Sequence, residues 1–425
     1  MPFTETPPAF TWENLNDTWA TLDDTWLGNY DVSTRIELGF LNGFTLGDPE
    51  LGVLGVGELT GEIEYIDVTS DTTQVSTNRG RSRDLQRTNA GSLNVAFRNE
   101  DRRFDPLNET SDLIRYTLPR KQTRIFVDGI PAFTGTIDDW NFDYGLGGES
   151  VASIAASDAF SFFARETVDE AAVFEQFSGF RINLILSRLT IPWPEDKRDL
   201  DTGNAVLAAG TGGGNVLAYF QEVEASEAGL LFISKQGDVS FRERLLQPVG
   251  DALQFTDDGS GISYDNISIV YGTELLTNQV TITSSEGTAV ASDLVSQLKY
   301  GVTASSTDTF LASGSLQSLA DYILQKYKEP EYRVENITVN LRDLTTQQRA
   351  DVLSLELGQQ ADVTFTPNQV GSPISLRNKI IGLAHQVGIE SHSVTISFEA
   401  LGLSFFVLDD AFFGKLDDDA GVLGY

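Results

Sequence analysis

Residues 80–111 read GRSRDLQRTNAGSLNVAFRNEDRRFDPLNETS, and the fold class turns on them. Within this stretch SLNVAF alternates Leu93, Val95 and Phe97 with small or polar residues, the two-residue period of a half-buried strand. RNED then supplies a turn. Working outward, TRIFVDGIPAFTGTIDDWNFDY (123–144) carries Ile125 and Val127, an Asp128-Gly129 hairpin signal, and a Trp140, Phe142, Tyr144 alternation. SVASIAASDAF returns as a third strand. An antiparallel meander over 61–160 is the expectation.

The same stretch is anomalous in charge. From Arg79 to Arg124, eleven Lys and Arg stand against six Asp and Glu; the segment is +5 in a chain of net charge −33, which leaves −38 elsewhere. One reading is a solvated sheet face whose arginines pair with nearby acids, each pair contributing roughly 0–1 kcal/mol. Another is a basic edge on one subunit meeting an acidic edge on the next, a task suited to the planar, bidentate guanidinium. A DNA-facing lumen site is the third, and the interspersed acids weaken it. The overall acidity repels nucleic acid and anionic lipid, so generic DNA binding is not expected.

Composition narrows the chemistry. The chain of 425 residues has room for several domains, and 40% hydrophobic with 21% charged residues is a globular balance. It has no cysteine, which excludes disulfides, thiolate metal sites and cysteine nucleophiles. Two histidines, His385 and His392, leave little for acid–base work near neutral pH. They are expected to face each other across a hairpin near Gly388; even with Glu390 no third metal ligand converges, so they read as a structural pair. GTGGGN (210–215) lacks the Lys-Ser/Thr of a phosphate loop and reads as a flexible loop. Asp417-Asp418-Asp419 lacks the spacing of a calcium loop. No nucleophile elbow or zinc-protease motif is present. No cofactor, metal site or catalytic set is therefore expected. The start of the chain has neither a basic nor an apolar run, and no window reaches 18 apolar residues, so neither a signal peptide nor a membrane segment is expected.

The rest of the chain divides by pattern. Residues 1–60 carry Trp12, Trp19 and Trp26 at a seven-residue spacing among Asn, Asp and Thr, then a glycine-rich run, and read as an extended docking arm. Three tryptophans bury too little surface to offset the ordering of twenty residues, so the arm is expected to dock on a neighbouring subunit. Residues 161–250 carry helical spacing in GFRINLILSRL and NVLAYFQEVEASEAG, then a strand pair turning at Gln236-Gly237-Asp238, and read as a mixed α/β insertion. Residues 251–400 read as a second β domain with a helix at 315–328. Residues 401–425 form an acidic-aromatic tail with Phe412 and Phe413 and repeated LDD. The class is mainly β, α+β overall.

Gly80-Arg81, Asp84-Leu85, Ala90-Gly91, the alternating strand, then Asn99, Asp101 and Arg103-Phe104-Asp105-Pro106 resemble a pattern of minor tail proteins of siphophages infecting actinobacteria. FVDGIPAFTGTIDDW and the LDDAFFGKLDD…LGY ending are similar to further parts of it, and LAYFQEVEASEAGLLFISKQGDVSFRER and LELGQQADVTFTPN…NKIIGLAHQVG resemble hub proteins of tail tips. The resemblance implies tail-tube-like β domains bracketing an insertion, and three copies forming a pseudo-sixfold ring, with a hexameric distal-tail ring as the alternative. It implies a non-enzymatic virion protein at the tail tip. The partners would be the tail tube or distal tail protein, the tape measure and further minor tail proteins, with DNA only in transit through an acidic lumen. Trp12, Trp19, Trp26, Arg81, Arg83, Arg103, Phe104, Asp105, Phe412 and Phe413 are the expected subunit-contact residues. A carbohydrate-binding adhesin is the reading from another class.

Overall fold

The computed structural model describes residues 32–41, 63–83, 86–244, 252–330, 332–388, 391–401, 404–405 and 421–422. Thirteen strands form one sheet: β1 (Thr34–Leu41), β2 (Ile63–Asp67), β3 (Thr72–Gly80), β4 (Ser92–Arg98), β5 (Gln122–Val127), β6 (Ile130–Tyr144), β7 (Ser150–Ser157), β8 (Leu253–Thr256), β9 (Asn266–Tyr271), β10 (Tyr332–Asn340), β11 (Gln360–Phe365), β12 (Ile374–Gly388) and β13 (Ser391–Ala400). Their order is β9-β10-β13-β12-β3-β4-β7-β6-β5-β1-β2, with β11 on β12 and β8 on β11. All pairings are antiparallel except β8 with β11. The chain is mainly β, as its alternating patterns predict.

Two halves of this sheet repeat one another. The order β3-β4-β7-β6-β5 has the same connectivity as β9-β10-β13-β12-β11. β6 and β12 are each 15 residues long. Each bulges at the same place against the following strand, between Ile137 and Asp139 on β7 and between Ile380 and Gly382 on β13. Ile137 and Ile380 are both fully buried. Ile137 donates to the Lys121 carbonyl and accepts from Arg120 N–H, each at 2.8 Å; Ile380 does the same with Gln359 and Gly358, also at 2.8 Å. Arg120 (φ 66°) and Gly358 (φ 88°) both hold left-handed backbone to make that contact.

The halves are joined by β3 on the C-terminal part of β12, where Gly80 stands opposite Gly382. A Cβ on Gly80 would lie 2.2 Å from the Ile381 carbonyl oxygen, and its φ of 84° is one that side chains avoid, so only glycine lets the two backbones close. The Asp128-Gly129 hairpin forms as expected, with both residues at positive φ (48° and 77°) as a two-residue turn demands.

Two apolar cores result. The first, with Phe97, Phe104, Phe133, Ile337, Ile380 and Ile396, belongs to the sheet. The second gathers α1 (Ser178–Arg188), α2 (Val216–Glu227) and α3 (Ser313–Tyr327) with the small sheet Gln279–Ser284, Gly287–Ser292 and Ala304–Asp308. The 3.6-residue spacing accounts for α3: Leu316, Leu319, Ala320, Ile323, Leu324 and Tyr327 all point inward. Strand Leu230–Ile233 lies between the cores, sending Leu230 and Phe232 into one and Leu231 and Ile233 into the other.

Three placements differ from the sequence expectation. Helix α3, expected in the second β domain, packs in the core of the insertion, because the strands before it form their own sheet there. Thr34–Leu41, read as part of an arm, is a strand between β5 and β2, with Ile36 and Leu38 buried. GTGGGN is not a loop but a strand (Gly210–Asn215) paired with Thr167–Val173, its glycines fitting a bulge between Gly212 and Gly214. Trp12, Trp19, Trp26, Phe412, Phe413 and Asp417–Asp419 lie outside the described residues.

Candidate assembly site

The arginine-rich stretch begins at the junction of the two halves. β3 ends beside β12, which carries Arg79, Arg81 and Arg83 toward acids of the C-terminal half. Arg79 pairs with Glu356 at 2.7 Å and Arg81 with Glu399 at 2.9 Å, all four side chains largely buried. Glu399 also takes Lys326 from α3. Burial opposes a charge on Glu399, but Lys326, Lys379 and Arg81 together hold its carboxyl well below the usual range. Three elements distant in sequence thus meet on one carboxylate. Arg83 reaches Glu274 at 2.5 Å and is 53% exposed.

The turn after β4 uses the remaining motif residues. Asn99, fully buried, accepts the Phe104 N–H at 2.9 Å. That bond drives Phe104 onto Phe97, ring centroids 4.5 Å apart, and near Trp140 at 6.0 Å. Arg103 bridges Asp71 (2.6 Å) and Asp112 (2.8 Å). Asp105 accepts from Leu107 N–H at 2.8 Å and from Arg102 at 2.5 Å, and these bonds lower its pKa. The Ala90-Gly91 step has an equally local cause. Asp158, cap of a short helix, accepts the Gly91 N–H at 2.7 Å, where a Cβ would crowd its carboxylate. Downstream, Arg120 pairs with Asp138, and Arg124 pairs with Glu37 and lies over the Tyr65 ring at 3.3 Å.

Of the sequence-predicted contact residues, then, Arg81, Arg103, Phe104 and Asp105 act within the chain, and Arg83 alone of the described ones presents much surface. What sequence reasoning missed was the partner of each arginine: Arg81 and Glu399 are 318 positions apart, and no local signal pairs them. Beside this junction opens a cavity of about 280 Å³ lined by Arg81, Arg87, Glu224, Lys326 and Glu399, charges of both signs. His385 Nδ1 and His392 Nε2 meet at 3.2 Å across β12 and β13, the expected pair. Among the described residues no group of three or more His, Asp or Glu converges as a metal site, and no helix is long and apolar enough to cross a membrane.

No protein-family model and no curated protein sequence matches the chain. Solved structures do. The 43 kDa tail protein of prophage MuSo2 from Shewanella oneidensis aligns with a TM-score of 0.55 at 12% identity, over 87% of this chain and 97% of that one. A tail protein from Neisseria meningitidis MC58 aligns at 0.56 and 14%, again over 87% and 97%. The chain shares its mainly β fold with these phage-type tail proteins along nearly their whole length.

Proposed function

We propose that this chain is a structural protein of a phage-type tail: a homo-oligomeric hub ring at the tail tip, joining tube to baseplate and host-recognition proteins around the DNA path, without enzymatic activity. The observation that carries the reading is the repeated half-sheet. A chain containing two equivalent five-strand units supplies six units in a ring of three copies, which suits an adaptor between sixfold and threefold parts. Support for the tail setting comes from the fold shared with two tail proteins. The acidic remainder suits a lumen along which DNA slides without sticking. In this reading Trp12, Trp19, Trp26, Phe412, Phe413 and Arg83 contact neighbours, whereas Arg81, Arg103, Phe104 and Asp105 build the subunit.

Native mass measurement of the purified full chain tests it. A species of three copies is the expected result. Six copies would favour the distal-ring alternative. A chain that stays single at all concentrations would sink the ring and reopen the adhesin reading.

A further inference from the structure

β3 and β9 hold the same position in the two repeats, but their outer edges differ. β3 lies on β12, with Val75 opposite Val387, Ser76 opposite Gln386 and Thr77 opposite His385. β9 has β10 on one side and, among the described residues, no strand on the other. β6 is the counterpart of β12. It pairs with β7 from Thr136 to Tyr144 but with β5 only as far as Thr136. The side of Asp139–Tyr144 turned away from β7 therefore also has no strand among the described residues. Among the described residues, one repeat has an edge strand without a seat, and the other has a seat without its strand.

We propose that these edges pair between neighbouring copies of this chain, β9 of one copy adding to the C-terminal half of β6 of the next, so that the β3–β12 junction recurs at every subunit boundary. The inference rests on the ring reading above and names the surfaces that close it. Its register follows from the repeat. The matched bulges set Asp139–Tyr144 in the place of Gly382–Val387. Pairing through β4 and β10 sets Ile267 and Ser268 in the place of Val75 and Ser76. Copying the intrachain register places Ile267 opposite Tyr144 and Ser268 opposite Asp143, and the antiparallel run continues with Ile269 on Phe142 and Tyr271 on Trp140.

Backbone correspondence alone dictated that register, and the side chains agree with it. Trp140, Phe142 and Tyr144 form a stacked ladder on one face of β6, with centroids 6.1 and 6.4 Å apart. The register lays Ile267, Ile269 and Tyr271 against this ladder, three aromatic–aliphatic or aromatic–aromatic cross-strand pairs. The opposite face pairs Ser268 with Asp143 and Val270 with Asn141. A slip of one residue would set the ladder against Ser268 and Val270 instead. Tyr271 is 69% exposed and Tyr144 52% exposed in the single chain, large aromatics on open strand edges of the kind that invite strand addition. Because the two edges differ, the contact is head-to-tail and propagates until it closes.

The chain has no cysteine, so introduced thiols report without interference. Ser268→Cys with Asp143→Cys, in one full-length chain, should give on mild oxidation a covalent ladder ending at the mass of the wild-type oligomer. Each single variant should give none. Ser268→Cys with Asn141→Cys, two residues out of register, should cross-link at least about tenfold less, the facing Cα atoms then lying beyond disulfide reach. Unchanged oligomer mass under reduction shows that the variants fold. A wild-type oligomer with no ladder from the in-register pair, or a cross-link within one chain, overturns the pairing and leaves the ring reading standing. A wild-type chain that never associates overturns both.

Discussion

At the scale of single residues, the ionisable groups around the end of β3 are paired within the chain. Each arginine from Arg79 to Arg83 is matched by a glutamate, and Glu399 serves two cations at once. The histidine pair carries a pH consequence. Burial lowers the pKa of His392 to about 4, only partly opposed by the Asp128 carboxylate, and burial with His392 beside it lowers that of His385 as well. Both folded-state values lie below the ordinary value near 6.5, so as pH falls the unfolded chain takes up protons first. Stability from this pair is complete above pH ~6.5 and drains as pH falls toward about 4. Asp158 works in the opposite direction. Burial pushes it up to about 7, so its folded form gains stability as pH falls below that value. Comparing wild type with His392→Gln isolates the histidine contribution. Between pH 7 and 4 wild type should lose on the order of 3 kcal/mol more than the variant in denaturant unfolding. Equal losses would mean that His392 titrates normally in the fold.

At the scale of elements, the junction of β3 with β12 holds the two halves in one sheet. Its closest approach is Gly80 on Gly382, where the backbone of each strand takes the space of a side chain. Gly80→Ala is expected to lower stability by more than about 2 kcal/mol, through a positive φ and a clash with a carbonyl that cannot retreat. Gly148→Ala, at positive φ in a turn with open space around it, is the milder control, expected near 1 kcal/mol. Thermal and denaturant unfolding of the two variants check the difference, and equal effects would mean that the approach at Gly80 is not what limits the junction. The arginines at the end of β3 then act as a bracket: once the glycines close, Arg79 and Arg81 fall within reach of Glu356 and Glu399.

At the scale of the whole molecule, charge and edges would pull against each other in the proposed ring. Copies of net charge −33 repel, while open strand edges and aromatic ladders attract at short range. Arg79 and Arg81 are already paired within the chain, so they do little to offset that repulsion. Association should therefore strengthen with salt. Raising ionic strength from about 10 mM to about 150 mM shortens the screening length from roughly 30 to 8 Å, and the assembled fraction measured by sedimentation should rise severalfold. A fall instead would point to a basic-on-acidic interface of the kind first read from the arginines.

Much of this protein was legible in its residues, for reasons that are local. The strands SLNVAF and WNFDY, the Asp128-Gly129 turn, the three helices and the facing histidines all announce themselves, because period, turn chemistry and hairpin pairing act over a few residues. Composition likewise excluded thiol chemistry, since the chain has no cysteine. Other features were decided only in three dimensions. Two β domains were expected, but which residue of one half matches which of the other was not legible, since the markers are backbone bonds to Ile137 and Ile380 and a bulge beside each, which many side chains would permit. The packing of α3 with the insertion, and the glutamate that each arginine finds, depend on chain segments hundreds of residues apart. An arginine's charge is written in the sequence, but its partner is set by where the strands end, and that is a property of the folded sheet.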